Sequence, residues 1–267
     1  GDRQVRGTAD ADGAIAYYFE YHPGVEVVQK KVCYKTADYS DPSFPTLTTI
    51  LKAYEYSAAG ILTTAYTYAD DATNYIIKKE VFSADGTTVV ETYTYYNNAA
   101  NRLESKTLAA ADADGNVYYH YIDEAFTTDP VTGAVYGRAD VIRRGAANLD
   151  GELAFAITYT GADEFARIVI SYSDAAMTTA LFEYEYNSAN VLIRKVDLAG
   201  NITYTYYASG RLETKTLAAV DGFGNVYYHY IDEAFTTDPV TGAVYGRADV
   251  IRRGAATLDG EIAYAVT

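Results

Sequence analysis

At 267 residues the chain is long enough for one large domain or two ordinary ones, and its 49% hydrophobic content excludes a disordered chain. A net charge of −15, from 21 basic and 36 acidic residues, repels polyanions, so nucleic acid and acidic membranes are poor candidate partners. The lone Cys33 excludes an internal disulfide and a cysteine zinc site, and no apolar run approaches the roughly 20 residues of a transmembrane segment.

The chain opens GDRQVRG, without an initiator Met or a signal peptide, and we read it as a piece of something longer whose first residue is a processing or cloning remnant. The first strand is expected in AIAYYFEYH (Ala14 to His22), closed by the turn His22-Pro23-Gly24. YEYSAAGIL (Tyr54 to Leu62) is the first hairpin motif, followed by an Asp85-Gly86 turn and by YTYYNNAANRL (Tyr93 to Leu103). NVYYHYI (Asn116 to Ile122) is the next strand, and TDPVTGAVYG (Thr128 to Gly137) reads as a linking loop. Strands AFAITYT (Ala154 to Thr160) and ARIVISYS (Ala166 to Ser173) flank another turn. AAMTTALFEY (Ala175 to Tyr184) is the one passage with helical character, but it is short, holds two threonines and runs into a strand motif.

GNITYTYYASGRL (Gly200 to Leu212) shows the small repeat in full. Ile202, Tyr204 and Tyr206 alternate with Thr203, Thr205 and Tyr207, the period of a half-buried strand. Gly60, Asn101, Asn190 and Gly210 occupy the same place in four turns, and only Gly and Asn tolerate positive φ well, which predicts a left-handed turn residue. The strand then resumes as RLETKTL or VLIRKVDL, so each small repeat is a hairpin. With 29 tyrosines, 9 phenylalanines and no tryptophan, the apolar share sits in rings with polar tips, which suit half-buried surfaces.

A larger repeat contains these hairpins. Gly115 to Ala147 recurs letter for letter as Gly224 to Ala256, and Glu104 to Thr158 matches Glu213 to Thr267 at 47 of 55 positions, offset by 109. Residues 1–6 therefore end a preceding unit, 7–144 form repeat unit 1 with one extra hairpin, 145–253 form unit 2, and 254–267 begin a truncated unit 3. At roughly ten to eleven residues per strand with its turn, the chain holds on the order of 24 strands, more than an open twisted sheet carries without curling or splitting. The expected fold is all-β: tandem hairpin repeats in a long antiparallel sheet, either spiral and solenoid-like or an extended single-layer ribbon.

The stretch Tyr204-Thr205-Tyr206-Tyr207-Ala208-Ser209-Gly210-Arg211-Leu212 resembles the YD repeat of bacterial RHS proteins and animal teneurins. Tyr207, Ser57 and Asn187 stand where that repeat has its Asp, and its turn Arg is present at Arg102 and Arg211. The resemblance implies a long antiparallel sheet spiralling into a shell, in large proteins that are secreted or at the cell surface.

Candidate sites come in duplicate. His120, Asp123, Glu124 and Asp129 recur as His229, Asp232, Glu233 and Asp238, but strand alternation sends His120 and Asp123 to opposite faces, which favours a cross-strand polar pair over a metal or acid and base site. DADGN (Asp112 to Asn116) is a fragment of a calcium loop, yet its counterpart has Phe223 for Asp114, which favours a turn. Arg143-Arg144 and Arg252-Arg253 suit a phosphate or carboxylate, and in so acidic a chain they are expected to pair with neighbouring acids.

The expected role is that of a structural or interaction protein, not an enzyme: a fragment of an extracellular β-repeat scaffold or shell. The alternative is a carbohydrate- or protein-binding module whose face carries Tyr119, Tyr121, Tyr204, Tyr206, Tyr228 and Tyr230. No cofactor is expected beyond weak surface calcium. The expected partners are a surface glycan or protein, or a second copy meeting exposed strand edges head to tail.

Overall fold

The computed structural model describes residues 2–5, 9–11, 13–35, 37–38, 46–71, 73–128, 134–237, 243–256 and 261–265, with backbone alone at 2–5, 37–38 and 46–47. The Asp-Pro of the predicted linking loop and the unit boundary at Gly7 lie outside the described residues. The chain divides into two compact units, Gly1–Gly145 and Ala146–Thr267.

The first unit contains β1 (Asp2–Val5), β2 (Ala16–Tyr21), β3 (Val28–Tyr34), β4 (Ala37–Asp38), β5 (Thr46–Leu47), β6 (Ile50–Tyr56) and β7 (Leu62–Tyr68). It continues with β8 (Ile76–Phe82), β9 (Val89–Tyr95), β10 (Leu103–Leu108), β11 (Asn116–Tyr121), β12 (Thr127–Thr128), β13 (Val135–Tyr136) and β14 (Ala139–Arg144). The second holds β15 (Ala154–Tyr159), β16 (Arg167–Tyr172), β17 (Ala180–Tyr186), β18 (Leu192–Asp197), β19 (Ile202–Tyr206) and β20 (Leu212–Leu217). After these come β21 (Asn225–Tyr230), β22 (Thr236–Thr237), β23 (Val244–Tyr245), β24 (Ala248–Arg253) and β25 (Ala263–Ala265). All described regular structure is β, and the AAMTTALFEY passage divides into a turn and β17.

Each unit is an open antiparallel sheet in which almost every strand pairs with its chain neighbours. The first runs β1, β2, β3, β6, β7, β8, β9, β10, β11, β14. The second runs β15 to β21 in sequence, then β24 and β25. The first unit skips from β3 to β6, with β4 and β5 paired apart, and both units share one departure: β11 skips to β14 and β21 to β24, while the short pairs β12/β13 and β22/β23 fold back. That fold-back makes a single parallel bridge, Leu103 to Tyr136 and Leu212 to Tyr245.

A second layer would leave one face of each strand dry and the other wet. Instead all seven residues of β8 and of β9 are half-buried, so solvent reaches both faces. The small core is local: Ala14, Tyr17 and Cys33, with Phe19, Leu51 and Tyr54 packed against it. Cohesion therefore comes from ladder hydrogen bonds and cross-strand side-chain pairs, each pair worth roughly 0.2–1 kcal/mol.

The hairpin turns show why Gly and Asn alternate at one place. Gly60, Asn101, Asn190 and Gly210 have φ of 77°, 46°, 59° and 80°. In the turn from Ser57 the Gly60 amide donates to the Ser57 carbonyl at 2.9 Å, and the ladder slips by one residue where Tyr56 meets Leu62. This is a tight turn followed by a left-handed bulge residue, a connection whose twist matches the flanking strands.

Met177 breaks that chemistry. It has φ 58°, and its amide donates to the Asp174 carbonyl at 3.1 Å. The Asp174 carboxylate accepts from the amides of Thr178 and Thr179, bonds that hold its pKa below the ordinary value and keep the turn closed around a strained residue. A left-handed conformation costs an ordinary L-residue about 1–2 kcal/mol, less for Asn. Met177→Asn is therefore expected to stabilise the protein by about 0.5–1 kcal/mol, read as a raised urea midpoint at unchanged slope.

Candidate functional site

The tyrosines singled out in the sequence belong to two rows of paired side chains. In the first unit Tyr66, Lys79, Tyr93, Lys106 and Tyr119 stand directly opposite one another on five successive strands. In the second unit Tyr184, Lys195, Tyr204, Lys215 and Tyr228 do the same. Directly opposed residues project to one face, so each row is a continuous ladder of alternating ring and ammonium, with a ring at every second strand or about 9.5 Å.

The ring faces of Tyr93, Tyr184 and Tyr204 carry a lysine from within the ladder. Lys79 and Lys106 lie 5.5 and 5.7 Å from the centroid of Tyr93, and Lys195 lies 5.2 Å from Tyr184 and 4.1 Å from Phe182. These are cation–π contacts, worth about 0.5–1 kcal/mol each where solvent reaches them. The hydroxyls are held too. Tyr66 donates to Glu55, Tyr93 to Glu91, Tyr119 to Asp112, Tyr184 to Glu152 and Tyr228 to Asp221. Burial first, and the Asp112 hydrogen bond second, push Tyr119 up to about 12.

Of the other tyrosines proposed for a binding face, Tyr121 stacks on Tyr119 at 6.2 Å and Tyr230 on Tyr228 at 6.2 Å. Tyr204, Tyr206 and Tyr230 line one small groove in the second unit, joined by Tyr245, Leu212 and Lys215. Burial pushes Tyr206 up to about 12.

The duplicated His and acid cluster is taken apart by the fold. His120 Nδ1 lies 2.6 Å from Asp140 on β14, and His229 Nδ1 lies 2.5 Å from Asp249 on β24. The hydrogen bond to His229 holds the Asp249 carboxyl below its ordinary range. Tyr207 places its hydroxyl 3.4 Å from the Nε2 of His229 while donating to the Tyr230 carbonyl at 2.7 Å. Asp123 instead pairs with Arg102 at 2.7 Å, and Asp232 with Arg211 at 2.8 Å. Glu124 forms a fork with Arg138, as Glu233 does with Arg247. Asp129 and Asp238 lie outside the described residues.

The calcium-like fragment is a turn whose acid is fully engaged. Asp112 accepts from the amides of Asp114 and Asn116 at 3.0 and 2.9 Å and from the Tyr119 hydroxyl. These bonds, the tyrosine's foremost, hold its carboxyl below the ordinary value, and Asp221 repeats the arrangement with Phe223, Asn225 and Tyr228. Among the described residues no group of three or more His, Cys, Asp or Glu side chains is placed to hold a metal ion.

No family model matches the sequence, and no curated protein matches it. Among solved structures the chain is similar to a component of the Tc holotoxin pore of Photorhabdus luminescens, at 13% identity and a TM-score of 0.24, over 92% of this chain and 12% of that one. It is also similar to the TcdB2-TccC3 crystal structure, at 12% identity and a TM-score of 0.20, over 90% of this chain and 17% of that one. The chain thus spans less than a fifth of the proteins it matches, and a likeness of this size decides neither fold nor role.

Two expectations change. Among the described residues Arg143, Arg144, Arg252 and Arg253 form no ion pair with the neighbouring acids: Arg143 lies over Tyr118 and Arg252 over Tyr227, each at 4.7 Å. A flat guanidinium covers a ring face well, and here it does so in place of a carboxylate. The second change is the set of partners. Asp140, Asp249 and the ladder lysines had not been singled out, although Lys106, Lys195 and Lys215 recur in the return strands RLESKTL, VLIRKVDL and RLETKTL.

Proposed function

We propose that this chain is a scaffold segment of a β-repeat array, with no catalytic step, placed outside the cell as the YD-repeat resemblance implies. One observation carries the reading: lysines of neighbouring strands lie over the rings of Tyr93, Tyr184 and Tyr204, and carboxylates of the same unit accept the hydroxyls of Tyr66, Tyr93, Tyr119, Tyr184 and Tyr228. Side chains committed to their neighbours stabilise an array strand by strand, and stability then adds along the chain. In-frame removal of residues 62–88 joins the turn after β6 directly to β9 and puts Tyr93 opposite Ala53, where Tyr66 stands. The shortened chain is expected to fold, with a denaturant slope reduced in proportion to its length. Collapse of the whole sheet would refute an additive array.

The second reading, a carbohydrate- or protein-binding module, is favoured by the groove of Tyr204, Tyr206, Tyr230 and Tyr245. A glycan array separates the two for sugars: tight, selective binding overturns the pure scaffold, and an empty array leaves it standing.

A further inference from the structure

Whichever of the two roles the array plays, the geometry points to an oxidative cross-linking site in each unit: Tyr121 with Tyr136, and Tyr230 with Tyr245, are placed to join as dityrosine under a haem peroxidase with hydrogen peroxide. Tyr121 and Tyr230 end β11 and β21, and Tyr136 and Tyr245 end the short fold-back strands β13 and β23. The ring centroids of the two pairs lie 5.1 and 5.0 Å apart, toward the close end of the roughly 4.5–7 Å range of aromatic pairs. The arrangement occurs at the same place in both units.

Angle selects these pairs as well as distance. Dityrosine joins the edges of two rings, and the groups beside the new bond keep those rings twisted out of a common plane. Tyr121 and Tyr136 are tilted by 57°, and Tyr230 and Tyr245 by 56°, a twist of the kind the product keeps. The adjoining pairs Tyr119 with Tyr121 and Tyr228 with Tyr230 lie farther apart, at 6.2 Å, and nearly parallel, at 13° and 11°, so they offer faces to each other. Burial first, and the nearby Tyr136 second, push the Tyr121 hydroxyl up, so the reactive ends of that pair are neighbours. Holding the two rings together replaces an encounter between free phenols with a step inside one molecule.

In the coupling each tyrosine gives up one electron and its phenolic proton. The two phenoxyl radicals combine through the ring carbons beside their oxygens, and a carbon–carbon bond forms. Those carbons then release their hydrogens as protons, and both oxygens take up a proton to become hydroxyls again. The two electrons and two protons lost overall reduce one hydrogen peroxide to two waters. The bond falls where the sheet is least tied: β13 meets β10 at the single bridge of Leu103 to Tyr136 and meets β12 over two residues. With Cys33 alone the chain has no internal disulfide, and a bond from Tyr121 to Tyr136 closes the fold-back loop in the unfolded chain as a disulfide would.

The test is brief oxidation of the whole chain, kept dilute, with a haem peroxidase and hydrogen peroxide. Dityrosine fluorescence is expected in the monomer band. Trypsin then leaves Tyr121 and Tyr136 in one peptide, Thr107 to Arg138, and mild acid splits that peptide at Asp129-Pro130, between the two tyrosines. The halves are expected to stay joined, at a mass two hydrogens below their sum, and the peptide Thr216 to Arg247 to behave alike at Asp238-Pro239. The double variant Tyr136→Phe with Tyr245→Phe keeps both rings and is expected to lose the monomer's fluorescence. Removing two ladder hydroxyls instead, by Tyr66→Phe with Tyr93→Phe, is expected to leave it. Halves that separate after acid, or dityrosine confined to dimers and larger species, overturn the proposal on the unsubstituted chain alone. Undiminished monomer fluorescence from the first double variant overturns it as well.

Discussion

Alanine at Gly246, or at its counterpart Gly137, is expected to open the sheet where β21 meets β24 or β11 meets β14, at a cost of about 3 kcal/mol. Neither glycine has a positive φ; what it supplies is space. A Cβ on Gly246 would sit 2.0 Å from the Ile231 carbonyl oxygen and 2.8 Å from Glu233 Cγ, and on Gly137 2.1 Å from the Ile122 oxygen. These obstacles are backbone, and the backbone is held: Ile122 donates its amide to the Arg138 carbonyl at 3.0 Å and accepts from the Glu124 amide at 2.8 Å. Moving the carbonyl would also pull Glu124 from its fork on Arg138 and disturb the Tyr121 to Ala139 pairing. Gly222→Ala is the internal control, because nothing lies within 4 Å of its Cβ position and the sister turn already holds Ala113. Urea unfolding with hydrogen exchange on the β24 amides checks the pair. Equal stability of the Gly246→Ala and Gly222→Ala proteins would show that the carbonyl is free to move.

How much of this was readable beforehand depends on range along the chain. The hairpins were legible because each is local: alternation marks the strands, and one Gly or Asn at a constant place marks the turn, where φ is positive at all four positions. The bond from Asp112 to Tyr119 is also local and recurs seven residues apart at Asp10 and Tyr17 and at Asp221 and Tyr228, so its spacing was a signal available in the sequence. The His120 to Asp140 contact was not legible in that way. It needs β11 to pair with β14 across the intervening β12 and β13, through a ladder with two irregularities, and alternation alone predicts neither. The ladders fall between these cases. The ladder tyrosines and lysines are visible in the sequence, but their opposition depends on the register that each bulge imposes.

Alkaline unfolding is expected to be the strongest response of the molecule to its solvent, because the tyrosines hold the sheet in their protonated form. Twelve described tyrosines have pKa values raised above 10.0, burial being the first cause at each. A tyrosine whose folded pKa exceeds its unfolded value keeps its proton where the unfolded chain has lost it. Its contribution to stability is complete below pH 10 and disappears as the pH rises through the folded value, about 12 for Tyr119 and Tyr206. Each such group removes up to about 1.4 kcal/mol per pH unit in that window, and less where solvent screens it. Several acting together still outweigh a net stability of about 5–15 kcal/mol within one to two pH units. Tyrosinate absorbance and far-ultraviolet circular dichroism, followed on one sample, should therefore change together in a single steep step between pH 10 and about 12. A shallow titration centred on 10 with unchanged ellipticity would mean that the rings are free in water, and the ladder would then contribute little to holding neighbouring strands together.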